Sequence, residues 1–250
     1  MPFISILINT FAKHKLQTTF QAMKKIVILT GAGMSAESGI STFRDAGGLW
    51  EKHRIEDVAT PRGWQANPTL VLEFYNQRRR QLLTCKPNAG HIAVAELEKK
   101  FDVQIITQNI DNLHEQAGST KVLHLHGELL KARSTGPGQE IFELDAAKPD
   151  IVLSELCPKG FQLRPHIVWF GEAVPEIERA VLMVEQADIF VVIGTSLQVY
   201  PAAGLMQNVR NNVPIYLIDP NQMPNIPKSV TVIQKGASEG MTELMKLLKV

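Results

Sequence analysis

The stretch that decides the fold is KIVILTGAGMSAESGISTFRDAGGLW, residues 25–50. A short apolar run, Ile26 to Leu29, leads into the turn Thr30-Gly31-Ala32-Gly33 and then into a helix-competent segment, Met34 to Gly39. A buried strand followed by a glycine turn and a helix forms an anion site, because the turn N–H groups and the helix dipole both favour a phosphate. This order predicts a nucleotide-binding strand–turn–helix unit.

The glycine spacing of this turn departs from the usual dinucleotide fingerprint. Gly31, Gly33 and Gly39 give G-x-G-x5-G, whereas the usual spacing is G-x-G-x-x-G. The acidic residue that normally binds a ribose about 20 positions later is not evident. The turn alone therefore leaves two interpretations open, a nucleotide-binding site or a purely structural strand-to-helix connection.

The composition is that of an ordinary globular protein. The chain has 250 residues, of which 44% are hydrophobic and 20% charged, and the length fits one α/β domain with a smaller inserted module. A net charge of +1 does not indicate a nucleic-acid or membrane partner. Two cysteines, Cys85 and Cys157, are too few for a disulfide framework and favour a cytoplasmic protein with reduced thiols.

Residues 1–22 differ from the rest of the chain. Their apolar segment, residues 3–8, has no basic residue before it and no clear small-residue cleavage site after it, which argues against a signal peptide. The acid-free, basic start is typical of a transit peptide, but it contains no arginine. We interpret residues 1–22 as an N-terminal extension that is either not native or disordered, and residues 23–250 as the domain.

Strand-like and helix-like segments alternate along the domain. Apolar strand-like runs lie at Ile26–Leu29, Val103–Thr107, Lys121–Leu125, Ile189–Ile193, Ile215–Ile218 and Val230–Ile233. Helical patterns lie at Asn88–Lys100, Asn109–Gln116, Glu176–Gln186, Ala202–Asn211 and Ser238–Leu248. The strand-like runs are rich in Val and Ile without polar alternation, which is typical of strands buried on both faces. The pattern predicts an α/β fold, a doubly wound parallel sheet with helices on both sides.

Two stretches interrupt this alternation. Residues 44–87 contain no strong strand, and we predict a loop followed by a helix at about Pro68 to Leu83. Residues 127–165 are rich in Gly, Pro and polar residues. We expect both stretches to be insertions into the sheet domain that together form a smaller lobe.

Three polar clusters directly follow predicted strands. They are Thr107-Gln108-Asn109-Ile110-Asp111, His124-Leu125-His126-Gly127-Glu128 and Gly194-Thr195-Ser196. In open α/β sheets the ligand crevice lies at the carboxyl ends of the strands, so these residues are candidates for a shared site. The structural alternative is that Asn109 caps a helix and Ser196 merely ends a strand. All three clusters, taken with the glycine turn, favour the shared site.

Five longer motifs carry a family resemblance. They are GAGMSAESGISTFR (31–44), TQNID (107–111), HLHGEL (124–129), RPHIVWFGE (164–172) and GTSLQVYPAAG (194–204). In this order they resemble the motif set of the sirtuins, which are NAD-dependent protein deacylases, and the resemblance covers about residues 24–250. It implies a Rossmann-type large domain, with NAD and an acyl-lysine peptide bound in a cleft beside the smaller lobe.

The resemblance also implies roles for individual residues. Those implied to contact NAD are Gly31, Ala32, Gly33 and Ser35 in the turn, Phe43 and Arg44 on a closing loop, Gln108, Asn109, Ile110 and Asp111 around the nicotinamide and its ribose, Gly194, Thr195 and Ser196 on the phosphate and adenosine side, and Ile218, Asp219 and Ala237. Those implied to flank the substrate peptide as an added strand are Val168, Trp169, Phe170, Gly171, Glu172, Val199 and Tyr200. The implied catalytic residues are Asn109, Asp111 and a histidine.

The chemistry of NAD cleavage suits a histidine base. Nicotinamide leaves as a neutral group from a positively charged ring, so the reaction needs no general acid. A neutral imidazole near pH 7 can accept the proton of the ribose hydroxyl that attacks next. The family motif has this base directly before Gly127, so we assign the role to His126 and a structural role to His124.

Two positions depart from the sirtuin pattern. Sirtuins commonly hold a structural zinc with two cysteine pairs, but residues 127–165 contain only Cys157 and no histidine, and a tetrahedral site needs four ligands. We therefore expect no zinc. Apolar side chains would then hold the lobe, among them Ile141, Phe142, Leu144, Leu153 and Phe161. At Leu217-Ile218-Asp219 the family often has Asn-x-Glu, so Asp219 keeps the acid while Leu217 loses the amide.

The segment Phe74 to Arg80 offers a determinant of substrate choice. Tyr75 and Arg78 are three residues apart and share a helix face. On pattern alone the arginine run is a solvated basic face. A Tyr-x-x-Arg at this point resembles the sirtuins that remove acidic acyl groups, where the pair binds the distal carboxylate of succinyl- or malonyl-lysine. Ala59 would leave room for a longer acyl group.

The sequence therefore predicts an NAD-dependent transferase that deacylates protein lysines, with succinyl and malonyl groups favoured and acetyl as a further substrate. Its partners would be acyl-lysine proteins or peptides, with neither nucleic acid nor membrane. Two alternatives use the same scaffold, protein mono-ADP-ribosyl transfer and a non-catalytic module that binds NAD or ADP-ribose. The presence of Asn109, Asp111 and His126 argues against the non-catalytic module.

Overall fold

The computed structural model describes residues 23–41, 53–224 and 226–250. The predicted N-terminal extension, residues 1–22, lies outside the described residues, as do Phe43 and Arg44 of the predicted closing loop. Within the described part of the chain, no helix is both long and apolar enough to cross a membrane.

The described residues form two sheets and a set of helices. The strands are β1 (Lys25–Thr30), β2 (Asp102–Thr107), β3 (Val122–His124), β4 (Gly127–Ser134), β5 (Ile141–Glu143), β6 (Leu163–Ile167), β7 (Ile189–Ile193), β8 (Ile215–Ile218) and β9 (Val230–Ile233). The helices are α1 (Gly33–Ala36), α2 (Ile55–Val58), α3 (Pro61–Ala66), α4 (Pro68–Leu82), α5 (Ala89–Leu97), α6 (Leu113–Gln116), α7 (Ile177–Glu185) and α8 (Ala237–Leu248), with a 3₁₀ helix at Ala202–Asn208.

The larger sheet has six parallel strands in the order β3-β2-β1-β7-β8-β9. Its central strands are buried on both faces, which explains their unbroken apolar sequences. Ile26 and Ile28 of β1 face a core built with α5 and α8, whereas Val27 and Leu29 face a second core built with α7. The predicted Rossmann-type, doubly wound sheet is confirmed.

The strand order places a topological switch at the centre of the larger sheet. From β1 the chain runs outward to β2 and β3, and after the second insertion it returns to β7 on the other side of β1. The connections on the two sides of this point leave in opposite directions, and a crevice opens between the carboxyl ends of β1 and β7. The glycine turn that follows β1 lies at this crevice.

The smaller lobe is an antiparallel sheet in the order β5-β4-β6, and α4 contacts it. Its core contains Leu72, Ala132, Ile151, Cys157 and Leu163, with Phe142 and Leu144 packed against them. The predicted contribution of Ile141, Leu153 and Phe161 was wrong, since these side chains are 54%, 51% and 40% exposed. Side chains alternate between the two faces of a strand, so Phe142 of β5 turns inward and its neighbour Ile141 turns outward.

Three other predictions of local structure need correction. The helix expected from Asn109 begins only at Leu113, because the residues before it form a loop held by tertiary hydrogen bonds. The segment expected as a helix at Ala202–Asn211 is a 3₁₀ helix that ends at Asn208. In the first insertion, α2 and α3 precede α4, and Thr60 caps α3 by accepting a hydrogen bond from the Gly63 N–H.

Candidate active site

The glycine turn packs backbone to backbone against the end of β7. The Gly31 N–H donates to the Ile193 carbonyl at 3.0 Å, and the Gly33 N–H donates to the Gly194 carbonyl at 2.9 Å. A Cβ atom on Gly31 would lie 2.7 Å from the Thr195 Cβ, and one on Gly33 would lie 2.7 Å from the Gly194 Cα. Glycine is therefore required at both positions for the two chain segments to meet at the crevice.

Ser35 connects the turn to the loop that follows β2. Its buried hydroxyl donates to the Asp111 Oδ2 at 2.9 Å and accepts a hydrogen bond from the Asn109 Nδ2 at 3.0 Å. Burial raises the pKa of the Asp111 carboxyl, and the hydrogen bonds from the Leu113 N–H and Ser35 partly oppose this rise. The structure thus brings together three residues predicted for the site, and Asn109 does not cap a helix.

The loops on the two sides of the crevice are also joined directly. The Gln108 side chain donates from Nε2 to the Thr195 Oγ1 at 3.1 Å. Thr195 is buried, whereas Ser196 next to it is exposed. The predicted nicotinamide side and the predicted phosphate side therefore form one continuous site.

His126 is oriented by the same loop. Its Nδ1 lies 3.0 Å from the Gln108 carbonyl oxygen, which can only accept, so Nδ1 carries the proton and Nε2 holds a lone pair. Burial lowers the pKa of His126, while the bond to the carbonyl opposes this in part. The imidazole is therefore neutral at pH 7, as a general base requires.

His124 has a different environment, although it is only two residues away. Its Nδ1 donates to the Asn109 carbonyl at 3.2 Å and its Nε2 donates to the Glu115 carboxylate at 2.8 Å. Burial disfavours the charged ring, but the hydrogen bond and charge of Glu115 outweigh it and raise the pKa of His124. His124 is thus an ion-pair partner that fixes the loop.

The predicted adenosine side lies at the end of β8. Asp219 is 8% exposed, and its Oδ1 accepts a hydrogen bond from the Asn221 N–H at 2.9 Å. Ile218 and Ala237 are buried, with their side chains inside the core. Leu217 also faces the core, and its replacement of an amide leaves no polar group there.

The segment after β6 runs between the two lobes. The Val168 N–H donates to the His126 carbonyl at 2.9 Å, and the Phe170 N–H donates to the Ala59 carbonyl at 3.0 Å. Trp169 is buried, whereas Phe170 is 42% exposed. The segment predicted to flank the peptide therefore connects the histidine to the first insertion.

The other residues predicted for the peptide site differ in how much of their side chain is free to contact a peptide. Glu172 accepts a hydrogen bond from the Trp169 N–H at 2.8 Å and pairs with Arg164 at 2.9 Å, so it braces its own segment. Val199 is half-buried and Tyr200 is 71% exposed. Exposed surface for a peptide is thus offered by Phe170 and Tyr200.

Tyr75 and Arg78 lie on the face of α4 that packs toward Trp169. The Trp169 Nε1 donates to the Tyr75 Oη at 3.1 Å, and burial raises the pKa of Tyr75. The Arg78 guanidinium lies over the Phe74 ring at 4.7 Å. Its Nε and Nη1 are buried and have no hydrogen-bond partner among the described residues. Burial also lowers the pKa of Arg78.

Asn76 and Arg79, which the sequence did not single out, clamp α4 to the lobe. The Asn76 amide donates to the Ile151 carbonyl at 2.9 Å and accepts from the Ile151 N–H at 3.0 Å. Arg79 is fully buried and donates to the Leu129 carbonyl and to the Asn76 Oδ1. The sequence did not reveal this role, because Arg79 lies in a run of three arginines that resembles a solvated face. Within that run only Arg80 is exposed, and it pairs with two acidic side chains.

Thr30 was also missed as a site residue, whereas its partner Thr107 was already a candidate in the first polar cluster. The Thr30 hydroxyl donates to the Thr107 Oγ1 at 2.8 Å, and the Asn109 N–H donates to the same Oγ1 at 3.0 Å. The two threonines end β1 and β2 and are paired in register. The feature of the sequence that could have identified Thr30 is that the buried strands β1 and β2 both end in threonine.

The described residues contain no group of three or more His, Cys, Asp or Glu side chains that could hold a metal ion. In the smaller lobe, the Cys157 Sγ lies 3.3 Å from the Ser134 hydroxyl. That hydroxyl also accepts a hydrogen bond from the Gly136 N–H at 3.0 Å. This thiol thus lies in a local hydrogen-bond network.

Known proteins match this chain over most of its length. The Sir2 family profile matches residues 31–201. An NAD-dependent protein deacylase of Bacteroides thetaiotaomicron is 58% identical over 230 residues, covering 90% of this chain and 98% of that protein. One of Helicobacter pylori is 53% identical over 227 residues, covering 90% and 98%. The solved structure of a mutant Sir2 homologue in complex with ADP-ribose has a TM-score of 0.84 at 41% identity, covering 91% and 92% of the two chains.

Proposed function

Because this chain belongs to the Sir2 family and is an NAD-dependent protein deacylase, we propose that it removes acidic acyl groups, succinyl and malonyl, from lysine side chains. The reaction cleaves NAD to nicotinamide and transfers the acyl group from lysine to ADP-ribose. Acetyl-lysine is a further, poorer substrate in this proposal.

The residues at the crevice fit NAD. Gly31 and Gly33 bring bare backbone to the switch point of the sheet, where a pyrophosphate can approach closely. Asp219 offers a carboxylate acceptor for ribose hydroxyls at the end of the neighbouring strand β8. When bound, NAD supplies the glycosidic bond whose cleavage releases nicotinamide.

The chain's own residues then orient the reactants and move a proton. Ser35 holds the Asn109 amide and the Asp111 carboxylate in fixed positions inside a buried pocket. The Gln108 carbonyl fixes the His126 ring with the lone pair on Nε2. That nitrogen accepts the proton of a ribose hydroxyl and so activates it as a nucleophile.

Arg78 is the observation that carries the acyl preference. A guanidinium with five donors is rarely left with buried, unpaired N–H groups, yet the Arg78 Nε and Nη1 have no partner among the described residues. The distal carboxylate of a succinyl or malonyl group supplies a charged acceptor for such an N–H group. Tyr75 supports this binding, because its oxygen accepts from Trp169 and its own hydrogen is available to the carboxylate.

The small side chain of Ala59 supports the proposed preference for an acyl group longer than acetyl. Ala59 is buried in the same apolar cluster as Tyr75 and Trp169 and contributes only a methyl group.

We also propose that the smaller lobe is held without zinc. Its stability then rests on the apolar core around Ala132 and Leu163, and on the clamp formed by Asn76 with Ile151. Cys157 is the only cysteine in the second insertion, and its thiol contacts the Ser134 hydroxyl.

A comparison of three otherwise identical peptides tests this proposal. The protein is incubated with NAD and a succinyl-, malonyl- or acetyl-lysine peptide, and nicotinamide and O-acyl-ADP-ribose are measured. A kcat/KM at least about tenfold higher for the acidic acyl groups, which equals 1.36 kcal/mol of discrimination, is the expected result. Equal or higher activity on acetyl-lysine refutes the acyl preference. If NAD labelled in its ADP-ribose part transfers the label to protein without forming an acyl product, the activity is ADP-ribosyl transfer. If NAD binds but no nicotinamide is released, the protein is a non-catalytic binding module.

A further inference from the structure

We propose that His91 and His114 are positioning residues that act through Thr30 and Thr107 on the nicotinamide loop, residues 108–111. The proposal rests on the proposed function, because the loop carries residues that would surround the nicotinamide. Neither histidine touches the reactants, so both act through the threonine hydroxyls.

The two histidines form a buried pair behind the loop. His91 lies on α5 and is 0% exposed, and His114 lies on α6 and is 2% exposed. Their rings meet edge to face, with centroids 4.9 Å apart. The His114 Nε2 lies 3.2 Å from the Thr30 Oγ1.

The hydrogen bonds around the pair fix the tautomer of each ring. The Asn88 N–H donates to the His91 Nδ1 at 3.4 Å, so the proton of His91 is on Nε2. The Thr30 hydroxyl gives its proton to Thr107, so it accepts from the His114 Nε2–H. His114 therefore keeps a lone pair on Nδ1.

The remaining nitrogen of one ring is a hydrogen-bond donor and that of the other ring is an acceptor. The His91 Nε2–H is a donor and the His114 Nδ1 is an acceptor, and both are buried without a hydrogen-bond partner among the described residues. Buried polar groups are nearly always paired, and at this ring separation a small rotation or one bridging water joins the two atoms. The donors then run in one direction, from Asn88 through both histidines to Thr30 and Thr107.

The end of this chain of hydrogen bonds is the active-site loop. The Thr107 Oγ1 accepts the Asn109 N–H at 3.0 Å, and so holds the backbone of a residue predicted to contact nicotinamide. The carbonyl of the preceding residue, Gln108, orients His126. A shift of the Thr107 hydroxyl thus moves both the nicotinamide pocket and the proposed base.

Burial keeps both rings in the neutral form that this arrangement needs. It lowers the pKa of His91 to about 4, which the charges of Glu37 and Glu115 oppose only in part. Burial also lowers the pKa of His114 well below its ordinary value, and the neighbouring His91 and His124 act in the same direction. The tautomers are therefore unchanged across the neutral pH range.

Kinetics of three variants test the positioning role. Thr30→Val removes one hydroxyl at constant shape, His114→Phe removes both ring nitrogens, and His114→Gln keeps a donor near the position of Nε2. A small misplacement of reacting groups costs up to about 10²-fold in rate, so Thr30→Val and His114→Phe should lower kcat about 10- to 100-fold with the peptide KM unchanged. His114→Gln should recover most of the lost activity.

The loss of activity in a double variant shows whether Thr30 and His114 act through one chain of hydrogen bonds or independently of each other. The double variant Thr30→Val with His114→Phe should lose no more activity than the worse single variant, because both break the same connection. Losses that multiply, or a kcat that stays at the wild-type value while only the melting temperature falls, would overturn the proposal. If His114→Phe does not fold, Thr30→Val and His114→Gln still decide the outcome.

Imidazole ¹⁵N NMR provides a readout that needs no activity. In the protein without substrate, both rings should be neutral and protonated on Nε2, and His91→Phe should shift the Nδ1 resonance of His114. Protonation of His114 on Nδ1 would refute the chain of hydrogen bonds even if the enzyme deacylates as proposed. Conversely, failure of every acyl peptide with wild-type protein refutes the proposed function and leaves the NMR result to decide the positioning proposal.

Discussion

Replacement of Arg78 by methionine should damage desuccinylation far more than deacetylation. Methionine keeps most of the length of the side chain and its packing on Phe74, but it removes the two buried donor atoms that have no partner in the described part of the chain. A hydrogen bond to a charged group contributes about 1.5–3 kcal/mol. Arg78 is only half-buried, so solvent screening keeps the total loss within that range although two donor atoms are removed. The expected fall in kcat/KM on the succinyl peptide is about 10- to 100-fold.

The assay compares succinyl- and acetyl-lysine peptides of one sequence with wild type and three variants. Arg80→Met is the matched control, because it makes the same substitution two residues later on α4, where the guanidinium is exposed and paired with Glu73 and Asp150. Tyr75→Phe should act in the same direction as Arg78→Met but more weakly, since it removes one neutral donor. Equal losses on both peptides in Arg78→Met and Tyr75→Phe would refute the reasoning, because the pair would then support only the helix.

Three further predictions concern the base, the metal and acid stability. His126→Ala should lower deacylation by about 10²–10⁴-fold while the melting temperature and NAD affinity change little, and activity within about tenfold of wild type would exclude His126 as the base. Elemental analysis should find no stoichiometric zinc, and a chelator should leave the far-UV circular dichroism unchanged, whereas one tightly bound zinc per chain would contradict the ligand count. The free energy of unfolding should fall as the pH is lowered from 6.5 to about 4, because the unfolded chain takes up a proton that buried His91 cannot. Denaturant titrations of wild type and His91→Phe at several pH values in this range measure the effect. The free energy of unfolding should fall less steeply with decreasing pH in the variant, and an equal dependence on pH would contradict the lowered pKa of His91.

The parallel strands were predictable because their burial is encoded locally. The predicted bounds of β7, β8 and β9 match the structure residue for residue, since each is a short apolar run with a polar residue, glycine or proline at its ends. Strand β7, which is buried along its whole length, thus carries its own signal, whereas Thr231 and Val232 of the edge strand β9 are exposed.

The nicotinamide loop was not predictable in the same way. Residues 109–112 carry a helix-like pattern, but Ser35 binds two of their side chains and Thr107 holds the Asn109 backbone. These contacts join positions more than 70 residues apart in the case of Ser35. Tertiary hydrogen bonds therefore overrode a weak local preference.

The smaller lobe was predicted correctly, but three of its expected core residues were wrong. Its strands are short and carry polar residues such as Lys131 and Arg133 on their outer face, so no apolar run marked them. The choice of Ile141 as a core residue rested on hydrophobicity alone, whereas the alternation of a strand decides which face is covered. Arg79 was hidden by two neighbouring arginines, and only its burial distinguishes it.

Helix α4 serves two purposes with alternating pairs of positions. In our proposal Tyr75 and Arg78 bind the acyl group, whereas Asn76 and Arg79 hold the smaller lobe. Substitution of Tyr75 and Arg78 should therefore change the acyl specificity, while Asn76 and Arg79 are kept to hold the smaller lobe. Random mutagenesis of the whole helix would mostly return misfolded chains, so a library restricted to positions 75 and 78 is the efficient route to altered substrate choice.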